Sequence, residues 1–398
     1  MSNSDVVVVS VARTPFGRFE GGLKEFDGPA LGALAINMAV ARSGIATNAI
    51  DAVYGGVGMI SSAMLTPVRQ AVLISELPET TPSAAIDRAC CSGMTAIGMG
   101  FKDIKLGEAI VTVCGGFESL SRTPLLWPRQ RAQRLGNVSV EDPLLIRGRV
   151  VEQPIAVYTG DEAVRRGIDR AQQDAWALQS HQRYAQAEAD GYFEFERFAV
   201  EASGAKNTTT LVTVDESPRP DTSLEKLAKL KPVYGGKTVT AGNAPGLNDG
   251  AAFLVLCRRD FAQAHGLKPL ARIVDYVQVS GAPTSGTSTP ASAIIRLAER
   301  ARADACGWDA IEINEAYAAT PLVSTLTLAD GNLEKANLLR SRTNVHGGAV
   351  ALGHPLGASG ARIVMTLING LRRRGGGRGV AAICGGFGQG DGILLEVE

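Results

Sequence analysis

Strand-length runs of apolar residues recur along the chain and alternate with stretches that carry helical spacing. Val6 to Val9 is a continuous apolar run that ends in the turn Thr14-Pro15-Phe16-Gly17. Ala30 to Ala41 is spaced as a helix and stops near Ser43-Gly44, after which Ala52-Val53-Tyr54-Gly55-Gly56-Val57 reads as the next strand. Runs that are apolar throughout, separated by helices, predict a mostly parallel sheet covered on both faces. Further on, Asp169-Arg170-Ala171-Gln172 has the pattern of a capping box that opens a helix. The stripe Ala171, Ala175, Leu178, Gln182, Ala185 and Ala189 on that helix is predicted to pack inward.

One pattern occurs twice. Cys90-Cys91-Ser92-Gly93, a helical stretch and the run Ala109 to Phe117 match Gly357-Ala358-Ser359-Gly360, a helical stretch and Val380 to Phe387. Ser92 and Cys114 are 22 residues apart, Ser359 and Cys384 25, so two halves of one design are implied. In the second half, Asp391-Gly392 and a last strand follow at once; in the first, Asp249-Gly250 and its strand come about 130 residues later. The intervening residues read as an insertion, a lid or substrate-binding domain. Thr238 to Gly250, dense in Gly, Asn and Pro, closes it with a tightly specified backbone suited to a ligand.

Composition narrows the function classes. The 398 residues are 45% hydrophobic with 46 glycines, enough for two or three domains of an α/β protein. A net charge of zero gives no field to recruit nucleic acid or a membrane surface, and no apolar run is long enough to span a bilayer. Six cysteines without CxxC pairs and only four histidines point away from a disulfide framework or a metal site and toward a reducing cytosol. Met1 to Asp5 leads straight into a strand, so no leader is expected, and Leu395 to Glu398 carries no peroxisomal address. Six arginines between 122 and 149 (122, 129, 131, 134, 147 and 149) could meet phosphates, but a solvated or interface role is the favoured reading.

The chemistry centres on Asp87-Arg88-Ala89-Cys90-Cys91-Ser92-Gly93-Met94. A thiol just ahead of a helix meets unsatisfied N–H groups and the positive dipole end, which favour thiolate, so Cys90 or Cys91 is a candidate nucleophile. Cys114, Cys257 and Cys384 end apolar runs, a position that by composition alone means core packing. Through the repeat, Gly357 corresponds to Cys90, so His354 precedes the second helix as Cys90 precedes the first. Pseudo-twofold packing would then bring Cys90, His354 and Cys384 into one pocket.

These segments, with Glu118-Ser119, Asn243 to Gly250, Asn314-Glu315-Ala316-Tyr317-Ala318, Gly353-His354-Pro355 and Cys384-Gly385-Gly386, resemble the thiolase family over essentially the whole chain. The resemblance implies a five-layered αβαβα fold. Its halves would be residues 1–120 with 247–271 and residues 272–398, with 121–246 as the inserted CoA-binding loop domain. It implies reversible Claisen condensation of acyl-CoA, or CoA-dependent thiolysis of a 3-oxoacyl-CoA, in a homodimer or homotetramer. No metal and no cofactor are expected; CoA is substrate and product.

By the family pattern Cys90 is the acyl-accepting nucleophile, Cys384 the acid/base, and His354 activates Cys90. His354 and a water held by Asn314 line one oxyanion hole, and the N–H groups of Cys90 and Gly386 the other. Arg219, Ala244, Pro245, Tyr317 and Ala318 are the expected contacts to CoA and the acyl group. Cys91 is expected to be structural, His181 and His265 surface or packing residues. Three positions depart from the pattern: Pro245 replaces a common Ser, His346 a common Asn, here read as structural, and Ala156 a common Met. Tyr317 and Gly286-Thr287-Ser288 suggest a more polar acyl pocket that accepts chains beyond acetoacetyl. The rival readings are a decarboxylating condensing enzyme of ketoacyl-synthase type and a silent CoA- or lipid-binding scaffold. A nicotinamide-dependent dehydrogenase is disfavoured, because no helix with a downstream acidic partner follows Gly385 to Gly388.

Overall fold

The computed structural model describes residues 4–60, 65–127, 139–145, 147–203 and 208–398. In chain order the first half runs β1 (Val6–Arg13), β2 (Gly17–Arg18), α1 (Gly28–Ser43), β3 (Ala52–Gly56), α2 (Pro67–Ile74), β4 (Ser83–Ile86), α3 (Ser92–Leu106) and β5 (Val111–Ser119). The inserted region holds α4 (Ile155–Arg165), α5 (Arg170–Ala189), β6 (Val200–Ser203), β7 (Thr209–Val212) and α6 (Leu224–Ala228). The chain returns through β8 (Asn248–Arg258) and α7 (Arg259–Ala264). The second half comprises β9 (Ala271–Ser280), α8 (Thr289–Ala301), β10 (Ala310–Ile313), α9 (Ala319–Leu328), α10 (Leu333–Arg340), α11 (Ala349–Leu352), α12 (Leu356–Arg373), β11 (Gly377–Gly385) and β12 (Gln389–Val397).

The strand order β10-β11-β12-β9-β1-β8-β5-β3-β4 is nearly palindromic, and the halves meet where Val6 to Val8 pair with Ala271 to Ile273. Ser119 faces Asp249 across the β5–β8 ladder, so the insertion leaves and re-enters the sheet at one point. The second half begins its sheet at Ala271, one residue before the expected start at 272. The expectation of a mostly parallel sheet is corrected. Among the described residues only the β3–β4, β3–β5 and β10–β11 ladders run parallel; β8 and β12 each lie antiparallel between their neighbours. Burial on both faces, not strand direction, makes these runs continuously apolar.

Burial follows strand alternation. Val6 and Val8 face a central layer with Met94 and Ile97 of α3 and Val364 and Ile368 of α12. Val7 and Val9 face an outer layer with Leu31 and Ile36 of α1. On the far side Val380 and Leu394 pack against Ile294 and Leu297 of α8. The result is helices, sheet, central helix pair, sheet, helices, the five-layered αβαβα arrangement.

The central pair touches backbone to backbone. A Cβ on Gly93 would lie 2.3 Å from Gly357 O, and one on Gly360 2.4 Å from Met94 N. Only glycine permits that approach, and it sets the two helix starts side by side.

The inserted region is tied down by charge. Arg13, fully buried at the end of β1, bonds Glu196 at 2.6 Å and Asp215 at 2.7 Å. Helix α5 opens with the expected capping box of Asp169 and Gln172. Its alanine stripe, however, faces solvent: Ala171, Ala175, Gln182, Ala185 and Ala189 are exposed. The buried face instead carries Trp176, Ser180 and Tyr184, because Trp176 Nε1 and Ser180 Oγ donate to the buried carboxylate of Glu315 at 2.8 and 2.7 Å.

Candidate active site

Cys90 lies in the turn between β4 and α3. The residue before it, Ala89, is held at φ 50°, a strained conformation for a residue with a Cβ. Side-chain hydrogen bonds maintain it: Asp87 Oδ1 accepts Ala89 N–H at 3.0 Å, while Ser92 Oγ accepts Arg88 N–H and donates to Ala89 O at 2.6 Å. Arg88 in turn pairs with the buried Asp391 of β12, which also accepts from Thr95 Oγ1 and Tyr276 Oη at 2.6 Å each. Cys91 points away, buried, with its thiol toward Ile383 O, a structural position as expected.

His354 precedes α12. Its backbone N–H donates to Asn248 Oδ1 at 2.9 Å, and its Nε2 lies 3.2 Å from Cys90 Sγ. The other ring nitrogen is 2.6 Å from Ser359 Oγ, and that hydroxyl donates to Pro355 O at 3.1 Å. With its proton on Pro355 O, Ser359 accepts Nδ1–H, so the lone pair of Nε2 faces the thiol. Burial, reinforced by Arg362, pulls the imidazole down to about 3 and keeps it neutral.

The expectation of a depressed thiol pKa at Cys90 is corrected. Burial pushes it up, as do Cys384 and the carboxylate of Glu118. Desolvation outweighs the helix start, so the resting pair is thiol and neutral imidazole, placed for a proton to pass between them. Cys384, at the end of β11, is likewise pushed up by burial, to about 12.

Cys90, His354, Cys384, Gly386 and Tyr317 all line one cavity of about 60 Å³. Gly386 sits against the nucleophile turn, where a Cβ would meet that of Ala89 at 3.4 Å. Tyr158 and Thr287 also line the cavity; sequence reasoning missed Tyr158, although it lies two residues after Ala156, a noted departure from the family pattern. Ala156 lines the adjoining cleft of about 200 Å³ with Ala244, Pro245 and Tyr317, and His354 and Leu356 are shared by both spaces.

Asn314 follows β10, fully buried, two residues before Ala316 of the cavity wall. Its Oδ1 accepts from Arg362 Nη2 at 3.4 Å, and its Nδ2 has no hydrogen-bond partner among the described residues. A donor so placed suits an ordered water.

Two expected contacts lie outside these walls. Ala318 is fully buried in the core of the inserted region, its N–H bonded to Asn243 O at 2.9 Å. Arg219 is exposed, and its backbone N–H donates to His181 Nδ1, which makes His181 a buried packing residue. His265 is exposed and stacks on Phe261. His346 stacks on Tyr192 with ring centroids 3.7 Å apart and lines a different cleft from His354. Arg122, Arg147 and Arg149 are exposed; 129, 131 and 134 lie outside the described residues.

Comparison with known proteins decides the family. Residues 6–260 match the thiolase N-terminal domain and residues 267–397 the thiolase C-terminal domain. The chain belongs to the thiolase family. It is 38% identical to the β-ketoadipyl-CoA thiolase of Pseudomonas aeruginosa, over 98% of this chain and 99% of that one. Among solved structures it resembles the acetyl-CoA acetyltransferase of Bacillus anthracis, with a TM-score of 0.93, 35% identity and 98% of each chain covered. It also resembles human mitochondrial 3-ketoacyl-CoA thiolase in complex with CoA, with a TM-score of 0.91 and 37% identity over 100% of this chain and 99% of that one.

Proposed function

We propose that this thiolase transfers acyl groups between CoA thioesters through an acyl-enzyme on Cys90. One observation carries the reading: a neutral imidazole with its lone pair 3.2 Å from the Cys90 thiol, in a cavity that Cys384 also lines. In the condensing direction Cys90 gives its proton to His354 Nε2 and its sulfur attacks the thioester carbonyl. The CoA sulfur leaves with the proton of Cys384. Cys384, now a thiolate and a strong base because burial raises its pKa, takes the α-proton of a second acyl-CoA. The carbanion attacks the acyl-enzyme, and Cys90 leaves as thiolate to recover its proton from His354. Cys90 regains its own proton, while the proton of Cys384 departs on CoA and is replaced by the substrate's α-proton; the acyl-transfer step exchanges one thioester for another at nearly equal energy and so runs both ways.

Protonated His354 and a water on Asn314 Nδ2 would stabilise the enolate oxygen, and the N–H groups of Cys90 and Gly386 the tetrahedral oxygen on Cys90. The larger cleft with Ala244 and Pro245 would receive CoA. No metal or prosthetic group is required. Arg219, exposed at the surface, and Ala318, buried in the core, are not assigned contacts to CoA.

The cavity of about 60 Å³ favours a short acyl group, narrower than the Gly286 to Ser288 segment suggested. Thiolysis of 3-oxoacyl-CoA substrates of increasing length tests this. The expected result is a kcat/KM that is highest for acetoacetyl-CoA and falls with length; a rise with length would overturn it. A homodimer or homotetramer is supported by β4, which ends the sheet half-exposed as an open edge. A cytoplasmic setting is supported by six cysteines that are all free.

A further inference from the structure

We propose that Glu118 is a positioning residue that fixes the distance between Cys90 and His354 by clamping the start of α12 to the first half. The proposal rests on the reading of Cys90 and His354 as the reacting pair.

Glu118 is 1% exposed near the end of β5 and forms no salt bridge among the described residues. Its carboxylate accepts three backbone N–H groups instead. Oε2 takes Gly58 at 2.8 Å and Gly357 at 2.9 Å, and Oε1 takes Met59 at 3.1 Å. Gly58 and Met59 follow β3, whereas Gly357 is the second residue of the 18-residue helix α12. One side chain of the first half thus grips the second half three residues after His354. The grip lies against the nucleophile turn: a Cβ on Gly58 would stand 2.6 Å from that of Leu356, 3.0 Å from Glu118 Oε2 and 3.3 Å from Ala89 O. In the repeat, Glu118 aligns with Gly388, which has no side chain, so the second half has no equivalent of this clamp.

Protonation reverses the clamp. A carboxyl O–H facing an N–H is a donor against a donor, so the neutral acid loses one of its three bonds. Burial, with a smaller push from Asp87, raises Glu118 to about 7 against the three N–H groups that lower it, so the clamp loosens as pH falls through neutrality. The titratable groups facing it are Asp87 and Cys90 from the nucleophile turn and His354 ahead of α12. His354, near 3, and Cys384, near 12, do not titrate in that window. Glu312, raised to about 8 by burial, does, but it faces Arg362. The ionised carboxylate also repels a thiolate at Cys90, so its protonation by itself would ease ionisation of Cys90 and raise kcat toward acid, opposite in sign to the limb expected from the loosened clamp.

The test is the pH dependence of kcat for acetoacetyl-CoA thiolysis, from pH about 5.5 to about 9, in the wild type and in Glu118→Gln. In the wild type kcat should fall on the acid side with a midpoint near 7. In Glu118→Gln that limb should vanish and kcat should sit about 10- to 100-fold below the wild-type plateau, with KM little changed. A limb that persists in Glu118→Gln belongs to Glu312 or to the substrate and overturns the proposal, as does a faster variant. Should Glu118→Gln fail to fold, a wild-type profile without a limb near 7 overturns it just as directly. Cys90→Ala separates the underlying reading: thiolysis surviving in that variant would remove the reacting pair itself, and this inference with it.

Discussion

Ser92 and Ser359 hold the same place in the two halves, each in the first turn of a central helix, and each braces the residue that bears the chemistry. Ser92 accepts from Arg88 N–H and donates to Ala89 O, which stiffens the strained turn before Cys90. Ser359 donates to Pro355 O and accepts from the ring of His354, which fixes a tautomer. One half uses the hydroxyl on backbone, the other on a side chain. The duplicated fold supplies two matched helix starts, and on the proposed reading a single change of partner suits one to a nucleophile turn and the other to a base. The two halves also hold each other: Asp391 of the second pins Arg88 of the first, and Glu118 of the first grips Gly357 of the second.

The largest break in this comparison is expected from Cys384, the strand-end cysteine that lines the cavity and is the proposed acid/base, while its counterpart Cys114 is core. Cys384→Ala should reduce thiolysis and condensation by about 10²- to 10⁴-fold, the range for loss of a general acid–base group. Acyl transfer to Cys90 should remain detectable by mass spectrometry. Cys384 assists that step only by protonating the leaving CoA sulfur, so complete absence of the acyl-enzyme would mean that its proton is indispensable there.

Next in size is Ser359→Ala, which frees the imidazole to adopt the other tautomer and should lower kcat by about 10- to 100-fold with little change in KM. Ser92→Ala should act mainly on stability, by about 1 kcal/mol as for a lost side-chain-to-backbone bond, read from denaturant unfolding. Identical kinetic effects of the two substitutions would mean that the serines do the same job.

The smallest effect concerns the anchor of the inserted region. Burial pushes the Asp215 carboxyl up, but Arg13 and Arg197 outweigh it and hold its pKa below the usual range. A carboxylate whose folded pKa is below its unfolded value adds stability above the unfolded value and loses it as pH falls through the folded one. Unfolding free energy should therefore decline on the acid side of the ordinary aspartate pKa, and Asp215→Asn should flatten that slope. An unchanged slope would assign acid lability elsewhere.

Much of this was legible in the sequence, for identifiable reasons. The repeat announced two helix starts and the cysteine–histidine correspondence, because covalent spacing survives folding. The capping box at Asp169 read correctly because it is local. Strand direction did not read, since an apolar run records burial on both faces and not orientation. The inward face of α5 was misread because the buried carboxylate of Glu315 calls for Trp and Ser, a demand set 135 or more residues away. The thiol at Cys90 was expected to ionise from its helix position, but desolvation by the second half decides, and no local pattern reports it. Glu118, Asn248 and Ser359 escaped notice as positioning groups for the same reason: each acts on a partner brought by the tertiary fold.

The central claim is that Cys90 carries the acyl group after giving its proton to His354. Intact-protein and peptide mass spectrometry after mixing with acetoacetyl-CoA tests it most directly. The account predicts one acetyl group on the peptide bearing Cys90, absent in Cys90→Ala and much slower to form in His354→Ala. Acetylation of another residue, or turnover of acetoacetyl-CoA by folded Cys90→Ala, would contradict it.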